Sequence, residues 1–183
     1  MEMRIAGFGG QGVMLAGNIL GKAASIYANK YATMTQSFGP EARGGYASSC
    51  LIISDEKILY PYLTQPDILV AMSQEAYTRY IKDLKEGGIL IVEEELVKLE
   101  PEPQNVRIFK VPATRIAEQV GKRVVLNIVM LGFIVGVTRI LDKEVVLKAI
   151  LATVPKGTEE MNKKAFESGY EYAIKSPVNS TLK

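Results

Sequence analysis

Two glycine-rich segments hold the residues whose types and spacing suit ligand chemistry. Gly7-Phe8-Gly9-Gly10-Gln11-Gly12 satisfies the pattern G-x-G-x-x-G. It follows a short apolar run at residues 3–8 and opens a stretch at 13–24 in which Val13, Leu15, Ala16, Ile19, Leu20 and Ala23 recur with helical spacing. In a strand, glycine turn and helix, the glycines let the chain turn sharply and bring backbone N–H groups to a phosphate at the positive end of the helix. Gly9, Gly10, Gln11 and Gly12 are therefore candidates to bind a phosphate-bearing cofactor. The plainer alternative is that Gly7, Gly9 and Gly12 only permit close packing of strand and helix. The second segment, Phe38 to Gly45, places Arg43 beside Gly44 and Gly45. A guanidinium can fork onto phosphate or carboxylate, and paired glycines can expose N–H groups as an anion nest. Arg43, Gly44 and Gly45 join the candidate site, against the bland reading of a surface loop in which Glu41 and Arg43 pair with each other.

Other chemistries are disfavoured or excluded by what is missing. An NAD site needs an acidic residue roughly 20 residues beyond the glycine loop to hold the ribose, and none stands between Glu2 and Glu41. The second strand offers Thr33, Thr35, Gln36 and Ser37 instead, with Lys30 before it as a weak route to NADP. Histidine is absent, which removes the Ser-His-Asp triad, the imidazole base and the imidazole metal site. Cys50 is the only cysteine, so the chain forms no internal disulfide and no four-thiolate cluster of its own. It reads as a small core residue, with no imidazole to activate it. Glu93-Glu94-Glu95 lacks spaced oxygen partners and reads as a solvated turn rather than a metal site. No catalytic residue and no metal ligand is assigned.

The elements around these segments alternate early and turn helical late. Strands are predicted at 3–8, 31–37, 46–54, within the apolar run 67–73, at 89–92 and at 106–111, with a short edge strand at 58–62. Helices are predicted at 13–24, 74–85, 114–120, 127–141, 142–152 and 158–174. This pattern predicts a single α/β, Rossmann-like three-layer domain over residues 1–176, with a mostly parallel sheet and a helical C-terminal portion. Residues 177–183 are read as a frayed tail. The apolar segment at 127–141 carries Gly132 and Gly136 in G-x-x-x-G spacing, and its all-round hydrophobicity predicts burial on every side, in part by another subunit.

The chain has 183 residues, 22 Lys+Arg against 20 Asp+Glu, and 48% hydrophobic residues. That balance fits one folded domain and argues against a nucleic-acid binder led by charge. The apolar stretch at 124–137 is shorter than the ~20 residues a membrane span needs. The N-terminus lacks the pattern of a signal peptide, so a cytoplasmic, reducing setting is expected.

Three segments in order resemble one family: Gly7-Phe8-Gly9-Gly10-Gln11-Gly12-Val13, then Ser37-Phe38-Gly39-Pro40-Glu41-Ala42-Arg43-Gly44-Gly45, then Pro66-Asp67 leading to Ala71-Met72-Ser73-Gln74-Glu75-Ala76. The chain resembles the gamma subunit of the 2-oxoacid:ferredoxin oxidoreductases, and the likeness continues through residues 127–132 and the late Asn162, Ala165, Phe166 and Gly169. The form Pro-Glu-Ala-Arg-Gly-Gly is closer to the 2-oxoglutarate and branched-chain members than to the pyruvate or indolepyruvate ones. The resemblance implies a subunit of a complex that oxidatively decarboxylates a 2-oxoacid, with 2-oxoglutarate the favoured one, forms acyl-coenzyme A and reduces ferredoxin. It implies that thiamine diphosphate and iron-sulfur clusters sit on partner subunits (alpha, beta and, where present, delta), that this chain contributes to coenzyme A binding and assembly, and that it is inactive alone. A homodimer is a further expectation. Two readings from other classes stay open at this point: a self-contained NAD(P)-dependent enzyme, and an architectural subunit with an empty glycine loop.

Overall fold

The computed structural model describes residues 1–40 and 44–175. Arg43, with Glu41 and Ala42, and the tail at 176–183 lie outside the described residues. Six strands form one sheet: β1 (Glu2–Phe8), β2 (Tyr31–Phe38), β3 (Tyr46–Ser54), β4 (Ile68–Ala71), β5 (Ile89–Glu93) and β6 (Arg107–Val111). Their order is β2-β3-β1-β4-β5-β6. β1, β4, β5 and β6 pair in parallel, while β3 runs antiparallel to both β1 and β2. The sheet is thus mostly parallel with one reversed strand.

β4 and β5 are buried along their whole length, as expected of central parallel strands covered on both faces. One face is thickly covered. There α1 (Val13–Lys22), α3 (Ala113–Val120), α4 (Leu126–Thr138), α5 (Lys143–Leu151) and α6 (Glu159–Lys175) share a core with Met3, Ile5, Leu51, Val70 and Ile91. The opposite face carries α2 (Gln74–Tyr80), the turn at Ile81–Leu84 and the connection from β5 to β6, packed on Ala6, Leu69, Ala71, Leu90 and Val92. α2 is capped by Ser73, whose Oγ accepts the Ala76 N–H at 3.2 Å. α5 is capped in the same way by Asp142.

The all-round apolar helix α4 is buried within the chain rather than by a partner. Residues 126–135 are buried, and the helix crosses α6 so closely that a Cβ at Gly132 would run into the Phe166 carbonyl, and one at Gly169 into the Val129 carbonyl. The G-x-x-x-G spacing serves this intramolecular crossing, with Gly136 facing Tyr170 and Ala173. Two other expectations are corrected. The segment 58–62 is not a strand but an exposed loop, and the sheet edges are β2 and β6. Pro61 and the tie of Thr64 N–H and Gln65 N–H to the Glu2 carboxylate, at 2.8 and 3.0 Å, hold that loop across the foot of the sheet instead of along its edge. Glu93 is not solvated but 0% exposed. Its carboxylate accepts the N–H groups of Glu95 at 2.8 Å, Leu96 at 2.7 Å and Thr114 at 3.0 Å, tying the end of β5 to the first turn of α3.

Candidate functional site

β1 ends at Phe8, and the chain reaches α1 through a turn in which Gly10 and Gly12 have φ of 94° and 73°. Such values are nearly free of cost only for glycine. Gly12 is the N-cap residue of α1, in the left-handed region and without a side-chain cap. The first N–H groups of α1 therefore face outward without intrahelical partners, at the positive end of the helix. Gln11 holds this turn: its Oε1 accepts the Phe8 N–H at 2.6 Å and its Nε2 donates to the Met72 carbonyl at 2.8 Å. Its side chain is thus bound to the ends of β1 and β4, and Gln11 shapes the loop.

The second glycine segment meets the first. Gly9 N–H donates to the Gly45 carbonyl at 2.8 Å, and a Cβ at Gly9 would stand 3.4 Å from the Gly44 nitrogen. Gly39 N–H donates to the Tyr46 carbonyl at 2.8 Å, closing the hairpin between β2 and β3. Between the two loops lies an open cleft of about 690 Å³, lined on one side by Gly9, Gly10, Gly12 and residues 13–15 and on the other by Gly39, Gly44, Gly45 and Tyr46. It sits at the carboxyl ends of the parallel strands, where open α/β sheets bind ligands. The structure brings Gly9, Gly10, Gly12, Gly44 and Gly45 to one place, while Arg43 falls in the same loop outside the described residues.

Two residues that line the cleft and one that backs its glycine turn were not singled out in the sequence. Phe8 and Phe38, 38% and 61% exposed, form apolar rims; each stands beside a glycine at the end of a strand, the one signal that marked them. Asn127, 3% exposed at the start of α4, donates from Nδ2 to the Gly12 carbonyl at 3.3 Å. A Cβ at Gly12 would collide with the Asn127 amide. No charged side chain lines the cleft among the described residues. Tyr46, a lining residue, bonds Ser37 Oγ through its hydroxyl at 2.8 Å, and its ring carries the Arg79 guanidinium 4.0 Å from its centroid. A second cleft, of about 370 Å³ at the opposite end of the sheet, is lined by Asp67 and Lys85, which pair with each other at 3.0 Å. The Asp67 carboxyl is raised by burial but lowered further by the Glu2 N–H and the Lys85 ammonium, so it lies below its ordinary value.

The topology speaks against the nicotinamide alternative. In a dinucleotide fold the strand after the first helix lies beside β1 and presents the ribose-binding residue there. Here antiparallel β3 occupies that position. Lys30 stands at the start of β2, the far end of the sheet from the glycine loop, and pairs with Asp55. No group of three or more metal-ligating side chains occurs among the described residues, and Cys50 is a lone half-buried thiol in β3. No helix among the described residues is long and apolar enough to cross a membrane.

A family model described as pyruvate ferredoxin/flavodoxin oxidoreductase matches residues 2–172. The chain belongs to this family. Within these oxidoreductases it is a gamma-type subunit of a 2-oxoacid:ferredoxin oxidoreductase. It is 54% identical over 174 residues to the 2-oxoglutarate synthase subunit KorC of Methanocaldococcus jannaschii, covering 94% of this chain and 93% of that one. It superposes on the gamma subunit of a keto/oxoacid ferredoxin oxidoreductase from Geobacter sulfurreducens with a TM-score of 0.85 at 44% identity, over 96% and 99% of the two chains. The same fold recurs in the 2-oxoglutarate:ferredoxin oxidoreductase of Magnetococcus marinus, whose structure holds 2-oxoglutarate, coenzyme A and succinyl-CoA. That match has a TM-score of 0.86 at 22% identity, over 100% of this chain and 32% of the longer one. Nothing in these likenesses favours a free-standing NAD(P) enzyme.

Proposed function

We propose that this gamma-type subunit holds coenzyme A for a complex that oxidatively decarboxylates 2-oxoglutarate to succinyl-CoA and reduces ferredoxin. The observation that carries the reading is the cleft itself: two glycine loops joined by the Gly9–Gly45 hydrogen bond, open over the uncapped N-terminus of α1 and rimmed by Phe8 and Phe38. Coenzyme A presents phosphates, an adenine ring and an apolar arm. Backbone N–H groups of residues 12–15 suit a phosphate, Arg43 with Gly44 and Gly45 supplies a second anion contact, and the two phenylalanines suit the ring and the arm. Gly9 and Gly10 let the ligand approach without a Cβ in its path.

The choice of 2-oxoglutarate rests on the relatives that bear that substrate in their names. Thiamine diphosphate and iron-sulfur clusters belong, on this reading, to alpha, beta and delta partners. With one cysteine and no histidine, this chain has no ligand set for a cluster and no imidazole for acid-base work. Its contribution is to bind and orient the acyl acceptor. A cytoplasmic setting fits the free thiol of Cys50.

The test is a calorimetric titration of the full chain, and of the assembled complex, with coenzyme A, dephospho-coenzyme A and NADPH. Saturable binding of coenzyme A with weaker binding of the dephospho form supports the reading. Binding of NADPH in preference to coenzyme A overturns it.

A further inference from the structure

The outer edge of β2 carries none of the devices that keep a sheet edge from pairing. Residues 31–38, Tyr-Ala-Thr-Met-Thr-Gln-Ser-Phe, contain no charge and no proline, and β2 pairs β3 without interruption from Tyr31↔Ser54 to Phe38↔Ala47. Natural edges of this length are normally broken by lysine, proline or a bulge. The hydrogen-bond phase of the strand follows from Gly39 N–H donating to the Tyr46 carbonyl, which makes Gly39 a bonded partner of β3. Bonded and non-bonded residues alternate along an antiparallel pair, so Tyr31, Thr33, Thr35 and Ser37 spend their backbone groups on β3. Ala32, Met34, Gln36 and Phe38 direct theirs outward, and no strand pairs with them among the described residues.

We propose that β2 pairs antiparallel with β2 of a second copy of this chain, about a two-fold axis at Thr35, joining two sheets into one. The register is decided by the backbone. With Thr35 opposite Thr35, Ala32 meets Phe38 and Met34 meets Gln36, so every outward group of one copy finds an outward group of the other. A shift of the axis to Met34 sets Phe38 against Lys30, whose N–H is already given to the Ala24 carbonyl at 3.0 Å. A shift to Gln36 sets Ala32 against Pro40, which has no N–H. The side chains agree with the central register. On one face Thr33 lies opposite Ser37 and Thr35 opposite itself, hydroxyl pairs that favour cross-strand contact, and no like charges meet. The exposed aromatics at the strand ends, Tyr31 at 51% and Phe38 at 61%, each gain a cross-strand neighbour.

The pairing also bears on the cleft. It sets the second copy's Ala32 opposite Phe38, which lines the cleft on the α1 face of the sheet, so each copy abuts the rim of the other's site. The isologous contact needs no residue outside β2.

Disulfide trapping of the full chain tests the register. The Thr35 pair is of the non-bonded type, with Cα atoms ~4.5 Å apart, within the range a disulfide spans. Thr35→Cys is made together with Cys50→Ser, because Cys50 is the cross-strand neighbour of residue 35 within one chain. Under mild oxidation this variant is expected to become a covalent dimer, while Thr33→Cys with Cys50→Ser stays uncoupled, since residue 33 faces residue 37 of the other copy. No coupling at 35, or equal coupling at 33 and 35, overturns the proposal. Gln36→Pro removes an N–H that the monomer does not use, and is expected to halve the sedimenting mass with far-ultraviolet dichroism unchanged. A wild-type chain that sediments as a monomer, or a Gln36→Pro chain that remains a dimer, also overturns it.

Discussion

Gly12→Ala separates what the glycine loop does for the fold from what it does for a ligand. Gly12 has φ 73° and ψ 22°, and an L side chain in that left-handed region costs ~1–2 kcal/mol. The added Cβ also overlaps the Asn127 amide and stands 2.9 Å from Asn127 Cβ, an overpacking worth ~1–3 kcal/mol. The sum, about 2–5 kcal/mol, lowers Tm by roughly 5–15 °C in a chain of this size. Asn127→Ala removes Cγ and Nδ2 but keeps Cβ, so in the double variant it relieves about half of the overpacking and none of the backbone strain. A double-mutant cycle in urea is therefore expected to show a favourable coupling of about 1 kcal/mol. Gly10→Ala is the counterpart, since a Cβ there meets nothing within 4 Å. It bears only the backbone cost, yet it projects into open space at the cleft, so in the assembled complex it raises KM for coenzyme A more than its stability loss accounts for. Strict additivity of Gly12→Ala and Asn127→Ala refutes the steric account. An unchanged KM in Gly10→Ala refutes the ligand account and leaves the glycines as packing residues.

Gly132→Ala drives a Cβ into the Phe166 carbonyl and is expected to cost at least ~2 kcal/mol in thermal unfolding. Gly21→Ala, 3.5 Å from Leu51 Cδ1 at an ordinary helical φ, is expected to gain ~0.5–1 kcal/mol in the same assay. The Asp67 carboxyl lies below its ordinary value in the folded chain, so its contribution is present above about pH 4 and is lost as pH falls through the lower folded value. Asp67→Asn therefore flattens that part of the acid limb of stability, measured between about pH 5 and pH 2. Arg43→Ala in the complex is expected to raise KM for coenzyme A about 10-fold to 100-fold with kcat nearly unchanged; unchanged kinetics reduce Arg43 to a surface residue. The purified chain alone is expected to be colourless and without 2-oxoacid oxidation activity, as absorption and turnover measurements will show.

Much of the architecture was legible because its elements carry strong local signals. The strand at 46–54 was read with the bounds that the structure has, since loop glycines precede it and the charged run Asp55-Glu56-Lys57 follows it. The helices read at 74–85 and 142–152 begin where the structure has Ser73 and Asp142 accepting N–H groups of the first turn. The misreadings arose where tertiary context sets the outcome. Glu93 looked solvated because three consecutive glutamates normally are. Only the approach of α3 provides the third N–H that makes burial of its carboxylate tolerable. α4 looked in need of a partner because nothing local announced that α6, through Gly169, would cover its outer side.

The position of β3 was within reach of the sequence. A parallel crossover needs a dozen or more residues, and residues 39–45 are too few, so β2 and β3 had to form a hairpin. That step, once taken, makes β3 antiparallel. The insertion of β3 beside β1 then follows from the pairing of Glu2–Phe8 with residues 46–52, which no local pattern encodes. The insertion in turn changes what G-x-G-x-x-G means. In a dinucleotide fold its glycines serve one ligand with a ribose anchor on the next strand. Here that strand is displaced to the sheet edge, and the motif divides its work. Gly12 yields space to Asn127 of the same chain, Gly9 meets the backbone of the second loop, and Gly10 faces open cleft. A motif match identifies the turn, but only the neighbours of each missing Cβ tell which glycine is kept for the protein and which for a ligand.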